Sequence, residues 1–210
     1  MYSRRTGGVK NRALLLVLLT ALSYFFSCEK LPSKIINKES PEILLARLPN
    51  KIGNFEKGEL TIYPERELGA GIKYFSPASE IQGGTILDFY LYDQGIQVIQ
   101  EGVDSQVVIR SKKGAKKDIF KQEKIHPRYR NLKSEHDHVI DINIGTSSLK
   151  MLCVSYIGEL VINSEYTIPC YTEIYITGYK NYICKFRITR LPNTNELELR
   201  DMIATLLSFL

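Results

Sequence analysis

Apolar positions along this chain follow three patterns. One is an unbroken run from Ala13 to Phe26. Another is a set of short stretches between residues 55 and 190, rich in β-branched and aromatic residues and bounded by Gly, Pro and Asn. Such stretches predict strands. The last is helical spacing, at 41–48, 106–124 and 196–210, where apolar residues recur every three or four positions.

Pro41 to Leu48 predicts a short helix. Ser40 suits the N-cap, Pro41 the first helical position, and Ile43, Leu44 and Leu48 share a face. Strands are predicted at 55–63, 70–75 and 85–93, with Pro64, Gly69 and Gly83-Gly84 in the connections. The segment 85–93 (TILDFYLYD) carries the strongest strand signal. Its two faces, Ile86/Asp88/Tyr90/Tyr92 and Leu87/Phe89/Leu91/Asp93, are both largely apolar, which predicts a central strand covered on both sides.

The helix over 106–124 follows a loop flanked by Gly95 and Gly102, with Asp104 or Ser105 as cap. Val108, Ala115, Ile119 and Gln122 form one face, and Lys112, Lys113, Lys116, Lys117 and Lys121 a solvated one. Further strands are predicted at 133–144, 149–162 with a bend near Gly158, 173–179 and 181–190. Gly178 lies near a tight turn joining the last two. Tyr182, Cys184, Phe186 and Ile188 face one way; Ile183, Lys185, Arg187 and Thr189 face the other. The final helix over 196–210 places Leu199, Met202, Ile203, Leu206 and Leu207 on one side, capped by Thr194 or Asn195. The order strands, helix, strands, helix predicts an α+β domain: a mainly antiparallel sheet with helices packed on it.

The first apolar run changes the picture of where this domain resides. Arg4, Arg5, Lys10 and Arg12 precede it, and Ser27-Cys28 follow. A basic region, an apolar stretch and a small residue make a secretory signal. At ~1.5 Å per residue the run would cross only about two-thirds of a ~30 Å hydrocarbon layer. This favours a cleaved signal over a permanent span. Phe25-Phe26-Ser27-Cys28 resembles the bacterial lipoprotein lipobox, in which the cysteine becomes the first mature residue and carries lipid. Phe25 departs from the aliphatic residue usual there. The resemblance implies a signal peptide over 1–27, a lipidated Cys28, a tether over 28–40 and one domain over 41–210. Plain secretion and an uncleaved anchor are the alternatives. Glu29, in place of the aspartate tied to inner-membrane retention, points to the outer membrane and a periplasm-facing domain.

Charge alters little. The chain carries 28 basic and 23 acidic residues, but four of the basic ones lie before Cys28. The mature part is near neutral, so no nucleic-acid partner is expected. Three cysteines would remain after lipidation: Cys153, Cys170 and Cys184. They read as small apolar core residues, with a Cys153–Cys184 bridge between adjacent strands as the alternative.

Candidate chemistry is sparse. His136 and His138 would share one strand face about 7 Å apart and are weak metal-ligand candidates, with His126 nearby in sequence. The plainer reading is a pair of exposed histidines, and no cofactor is expected. No nucleophile motif or phosphate loop occurs. Asp88 and Asp93 face opposite sides of a strand, against a joint acid–base role. Thirteen tyrosines without tryptophan suit a half-apolar, half-wet contact surface. The binding candidates are therefore Tyr90, Tyr92, Asp93 and Asp104, around a turn-rich loop.

The runs LPNKIGNFEKGELTIYPERELGAGIKYFSP (48–77), DFYLYDQG (88–95), EGVDSQVV (101–108) and TGYKNYICKFRIT (177–189) resemble an uncharacterised family of bacterial secreted or lipid-anchored proteins. The element order also resembles the Mog/PsbP-like α-β-α sandwich. These resemblances imply a cell-envelope lipoprotein acting as a non-catalytic binding, accessory or assembly module, with an envelope protein partner and the membrane reached through the lipid. A metal-assisted hydrolase of envelope polymers through His136 and His138 is the alternative. Another is a carrier of a small apolar ligand between sheet and helix.

Overall fold

The longest strands of this protein follow one another along the chain. In the computed structural model, which describes residues 38–76, 84–125 (backbone only for 122–125), 128–192 and 194–210, four of them form a meander. They are β5 (Tyr129–Ile144), β6 (Ser147–Val161), β7 (Thr167–Tyr179) and β8 (Tyr182–Arg190). Before them come helix α1 (Pro41–Ala46), β1 (Lys51–Ile52), β2 (Phe55–Ile62), β3 (Ala70–Phe75), β4 (Ile86–Tyr92) and helix α2 (Gln106–Ile125). Helix α3 (Glu196–Ser208) follows. The strands make one sheet in the order β1-β2-β3-β4-β8-β7-β6-β5. Every pairing is antiparallel.

This order explains the position of α2. The chain leaves β4 in the middle of the sheet and must restart at its far edge, where β5 lies. A 20-residue helix is ~30 Å long, and the strands it passes span only ~15–20 Å at ~4.8 Å each. Helix α2 therefore lies across β5 to β7, burying Val108, Ala115 and Ile119 against Val154, Tyr156, Ile174 and Ile176. Helices α1 and α3 cover the opposite face. There Leu44, Leu45, Leu48, Leu199, Met202, Ile203, Leu206 and Leu207 enclose a larger core with Tyr74, Leu87, Leu91 and Cys184. At its centre Phe89 stacks on Phe186 with ring centroids 4.3 Å apart. Asn195 caps α3 by accepting the Leu197 N–H, one of the four donors a helix start leaves open.

The expected Mog/PsbP-like α-β-α sandwich is not what forms. The fold is dominated by a single eight-stranded sheet, and its strands hold about twice as many residues as its helices. The cause lies in how many strands join: among the described residues eight share one sheet, against three α-helices. Reading from apolar alternation starts β5 at Lys133 and β7 at Glu173, whereas they begin at Tyr129 and Thr167. Cross-strand backbone pairing lengthens the two strands by four and six residues, bringing in the buried Tyr129, Leu132, Cys170 and Thr172.

Other local departures have equally definite causes. Ile43 points outward at 45% exposure, because Leu44 and Leu45 of α1, with Leu48 just beyond it, take the buried side. The β7–β8 turn is made by Lys180 and Asn181, both with positive φ, a pairing suited to tight hairpins. Gly178 serves elsewhere. It exchanges two 2.9 Å backbone hydrogen bonds with Gly102, pinning the loop ahead of α2. A Cβ on it would lie 2.1 Å from the Gln100 carbonyl oxygen. At Gly158 a Cβ would meet the Arg130 carbonyl at 2.9 Å and Leu132 Cδ2 at 2.8 Å. The bend expected there is thus a close approach of β5, which is bulged between Arg130 and Lys133.

Cys153, Cys170 and Cys184 are buried and unbridged. Cys153 sits on β6 and Cys184 on β8, with β7 between them. Two strand spacings are ~9.6 Å, beyond the reach of a disulfide. The expected signal peptide (1–27), Cys28, most of the tether and His126 lie outside the described residues. Among the described residues no helix is long and apolar enough to cross a membrane.

Candidate functional site

The central strands carry a polar row on the face that α2 only partly covers. In the β4–β8 register Asp88 lies opposite Arg187, Tyr90 opposite Lys185 and Tyr92 opposite Ile183. Strand alternation sends all six toward the α2 side. Helix α2 sits over β5 to β7, so its flank and this row bound a cavity of about 400 Å³. Arg110, Gly114 and Asp118 line it at helical spacing from above; Tyr90, Lys185 and Ile174 line it from the sheet. Gly114 has no side chain, which leaves the helix wall open at its middle.

The basic groups in this row differ in how they are matched. Arg187 Nε and Nη2 both donate to Asp88 Oδ2, at 3.1 and 2.7 Å. Burial alone would lower the Arg187 pKa, but Tyr90, Asp88 and Tyr129 outweigh it and hold the guanidinium above its ordinary value. Among the described residues Lys185 has no such carboxylate. Its ammonium meets ring faces, with Nζ 4.4 Å from the Tyr90 centroid and 5.6 Å from that of Tyr92. Burial, then the neighbouring Arg187 charge, pull its pKa from 10.5 down to about 8; Asp118 and Asp88 oppose the shift. An amine in that range is protonated at neutral pH but held at a cost.

The surrounding tyrosines shape the walls. Tyr92 hydrogen-bonds Ser111 of α2 and so ties helix to sheet. Burial raises its pKa to about 12, with the Ser111 contact acting the other way. Burial also raises Tyr90. The Tyr90 ring has room because its β3 partner is Gly71, where a Cβ would stand 3.0 Å from the ring. A hollow of about 230 Å³ shares Tyr63, Tyr90 and Arg187 with the cavity and adds Lys73, Arg128 and Glu59. Basic groups outnumber acidic ones along the combined walls.

The residues singled out from sequence are dispersed. Tyr90 and Tyr92 line the cavity. Asp93 turns away to pair with Lys38 at 3.1 Å and to accept the Gly95 N–H. Asp104 is exposed ahead of α2 and does not line the cavity. His136 and His138 are exposed on the edge strand β5, opposite Ser155 and Cys153. Among the described residues no three His, Cys, Asp or Glu side chains converge as metal ligands would. Between the two histidines, Asp137 takes Lys112 and Lys116 of α2, each at 3.0 Å. Burial would raise its pKa, but the two lysines outweigh that and lower it. Part of the helix's basic face is thus bound to the sheet edge.

Lys185 and Arg187 are the site residues that the sequence pattern passes over, and Asp88 is weighed there only as a partner of Asp93. A signal existed: charged residues inside otherwise apolar central strands need partners or a purpose. What it lacked was the register that sets Asp88 beside Arg187 and leaves Lys185 between rings. No protein-family model and no curated protein matches this chain.

Proposed function

We propose that this protein is a non-catalytic binding module of the bacterial cell envelope. Its domain faces the periplasm, lipid-anchored at Cys28 on the outer membrane, and serves as an accessory factor to an envelope protein partner. One observation carries the binding reading: a cavity of about 400 Å³ with Lys185 presented into it, matched by ring faces rather than by a carboxylate. Ligand sites are concave, mostly apolar and marked by a few placed polar groups. This one lies between helix and sheet, where a carrier would hold its cargo. Its charged walls set it apart from a store for a purely apolar ligand.

Native mass spectrometry of the full chain taken from its own membrane fraction tests the reading. The expected spectrum shows a non-covalent small-molecule adduct that is absent when Tyr90 and Lys185 are both replaced by alanine. An identical spectrum for both proteins, without an adduct, would refute it. The denatured mass of the same sample reports the anchor: Cys28–Leu210 plus acyl chains is expected, and a chain retaining Met1 would remove the lipoprotein reading.

A further inference from the structure

The cavity's charges narrow what it can hold, if it is the binding site proposed above. Arg187 is matched by Asp88. Among the described residues that leaves Lys185 deep in the cavity and Arg110 at its exposed side as cations, with Asp118 of α2 as the facing anion. The groups around Lys185 are Tyr90, Tyr92 and Asp88 from β4, Arg187 from its own strand, and Arg110 and Asp118 from α2. Toward β7 it meets the apolar Ile176 and Ile174. The balance is one positive charge in excess, backed by apolar walls.

We infer that the cavity takes a small amphipathic organic monoanion, its acidic head on Lys185 and its apolar body against Ile119, Ile174 and Leu68. A neutral apolar guest would leave the half-buried ammonium with ring faces alone. A polyanion would carry more negative charge than the single positive excess balances, with Asp118 opposing it and Arg187 committed to Asp88. A monoanion completes a charge-assisted pair in a partly desolvated place, where such pairs are strongest. The ring faces of Tyr90 and Tyr92 hold the ammonium in place beforehand, which lowers the ordering cost of binding.

The probes are 2-naphthoate and its neutral counterpart 2-naphthylmethanol, applied to the full chain in lipid nanodiscs. Peptide-level mass spectrometry reads acetylation of Lys185 by acetic anhydride. At neutral pH naphthoate protects Lys185 at a concentration about tenfold below that needed for the alcohol, as a single charge-assisted contact implies. Its advantage shrinks at about pH 9.5, where an amine titrating near 8 is deprotonated; protection is normalised to unliganded protein at each pH. A second readout is thermal stabilisation by naphthoate, lost in Lys185→Met and kept without pH dependence in Lys185→Arg. Equal protection by acid and alcohol would overturn the monoanion inference and leave the binding site standing. Protection by neither, together with an adduct-free native spectrum, would overturn both.

Discussion

Replacing Lys185 by methionine should make this protein more stable, because the site burdens the fold it sits in. The lysine's pKa falls from 10.5 to about 8 on folding. At about 1.36 kcal/mol per pH unit this is ~3 kcal/mol of preference for the neutral amine. Water at the cavity mouth and the two ring faces, the latter worth about 0.5–2 kcal/mol, offset part of it. Methionine keeps the length and the apolar stem, so Lys185→Met should add about 1–2 kcal/mol at neutral pH, or roughly 3–6 °C for a domain of this size. The pH dependence is the sharper signature. The folded pKa lies below the unfolded one, so between about 8 and 10.5 the unfolded chain binds more protons. The Lys185 contribution to stability should rise with pH through that window, so the gain from Lys185→Met should shrink. Burial raises the Cys153, Cys170 and Cys184 thiols. These act the opposite way from about pH 9 upward but equally in both proteins, so the difference between the two is the quantity to read. Tyr90 and Tyr92 are shifted upward and act oppositely above about pH 10, so the informative range ends near pH 9.5. Urea denaturation of both proteins across that range measures the difference directly. A variant destabilised by more than about 1 kcal/mol at neutral pH, or a difference that ignores pH, would refute the reasoning.

Gly178→Ala should cost about 3 kcal/mol: its Cβ would sit 2.1 Å from the Gln100 oxygen, displacing two hydrogen bonds at about 1 kcal/mol each and adding steric strain. Gly102→Ala, with φ +85° and open space around the new Cβ, should cost only about 1 kcal/mol; equal losses in urea titrations would show that the close approach does not exist. Gly114→Ala should stabilise by about 1 kcal/mol, since it is a mid-helix glycine whose Cβ would meet nothing within 4 Å. A lower melting temperature for this variant would mean that α2 packs closer to β4 and β8 than described.

Residue chemistry along the chain determined which local elements could form. Alternation in 182–190 already put Cys184 and Phe186 on one face and Lys185 and Arg187 on the other. The stripe Leu199, Met202, Ile203, Leu206 and Leu207 already specified the buried side of α3. Tyr90 and Tyr92 were legible as a shared face because alternation is a property of one strand. Which strands are neighbours is not such a property. Tertiary pairing decided that the meander returns to β4, that β7 separates Cys153 from Cys184, and that β5 and β7 begin four and six residues before their apolar alternation does. The same pairing set Asp88 against Arg187 and left Lys185 to the tyrosine rings. Local sequence encodes the periodicity of a side-chain face. A site made of groups about a hundred residues apart, as Asp88 and Arg187 are, depends on register, and register is settled only when the whole sheet closes its hydrogen bonds.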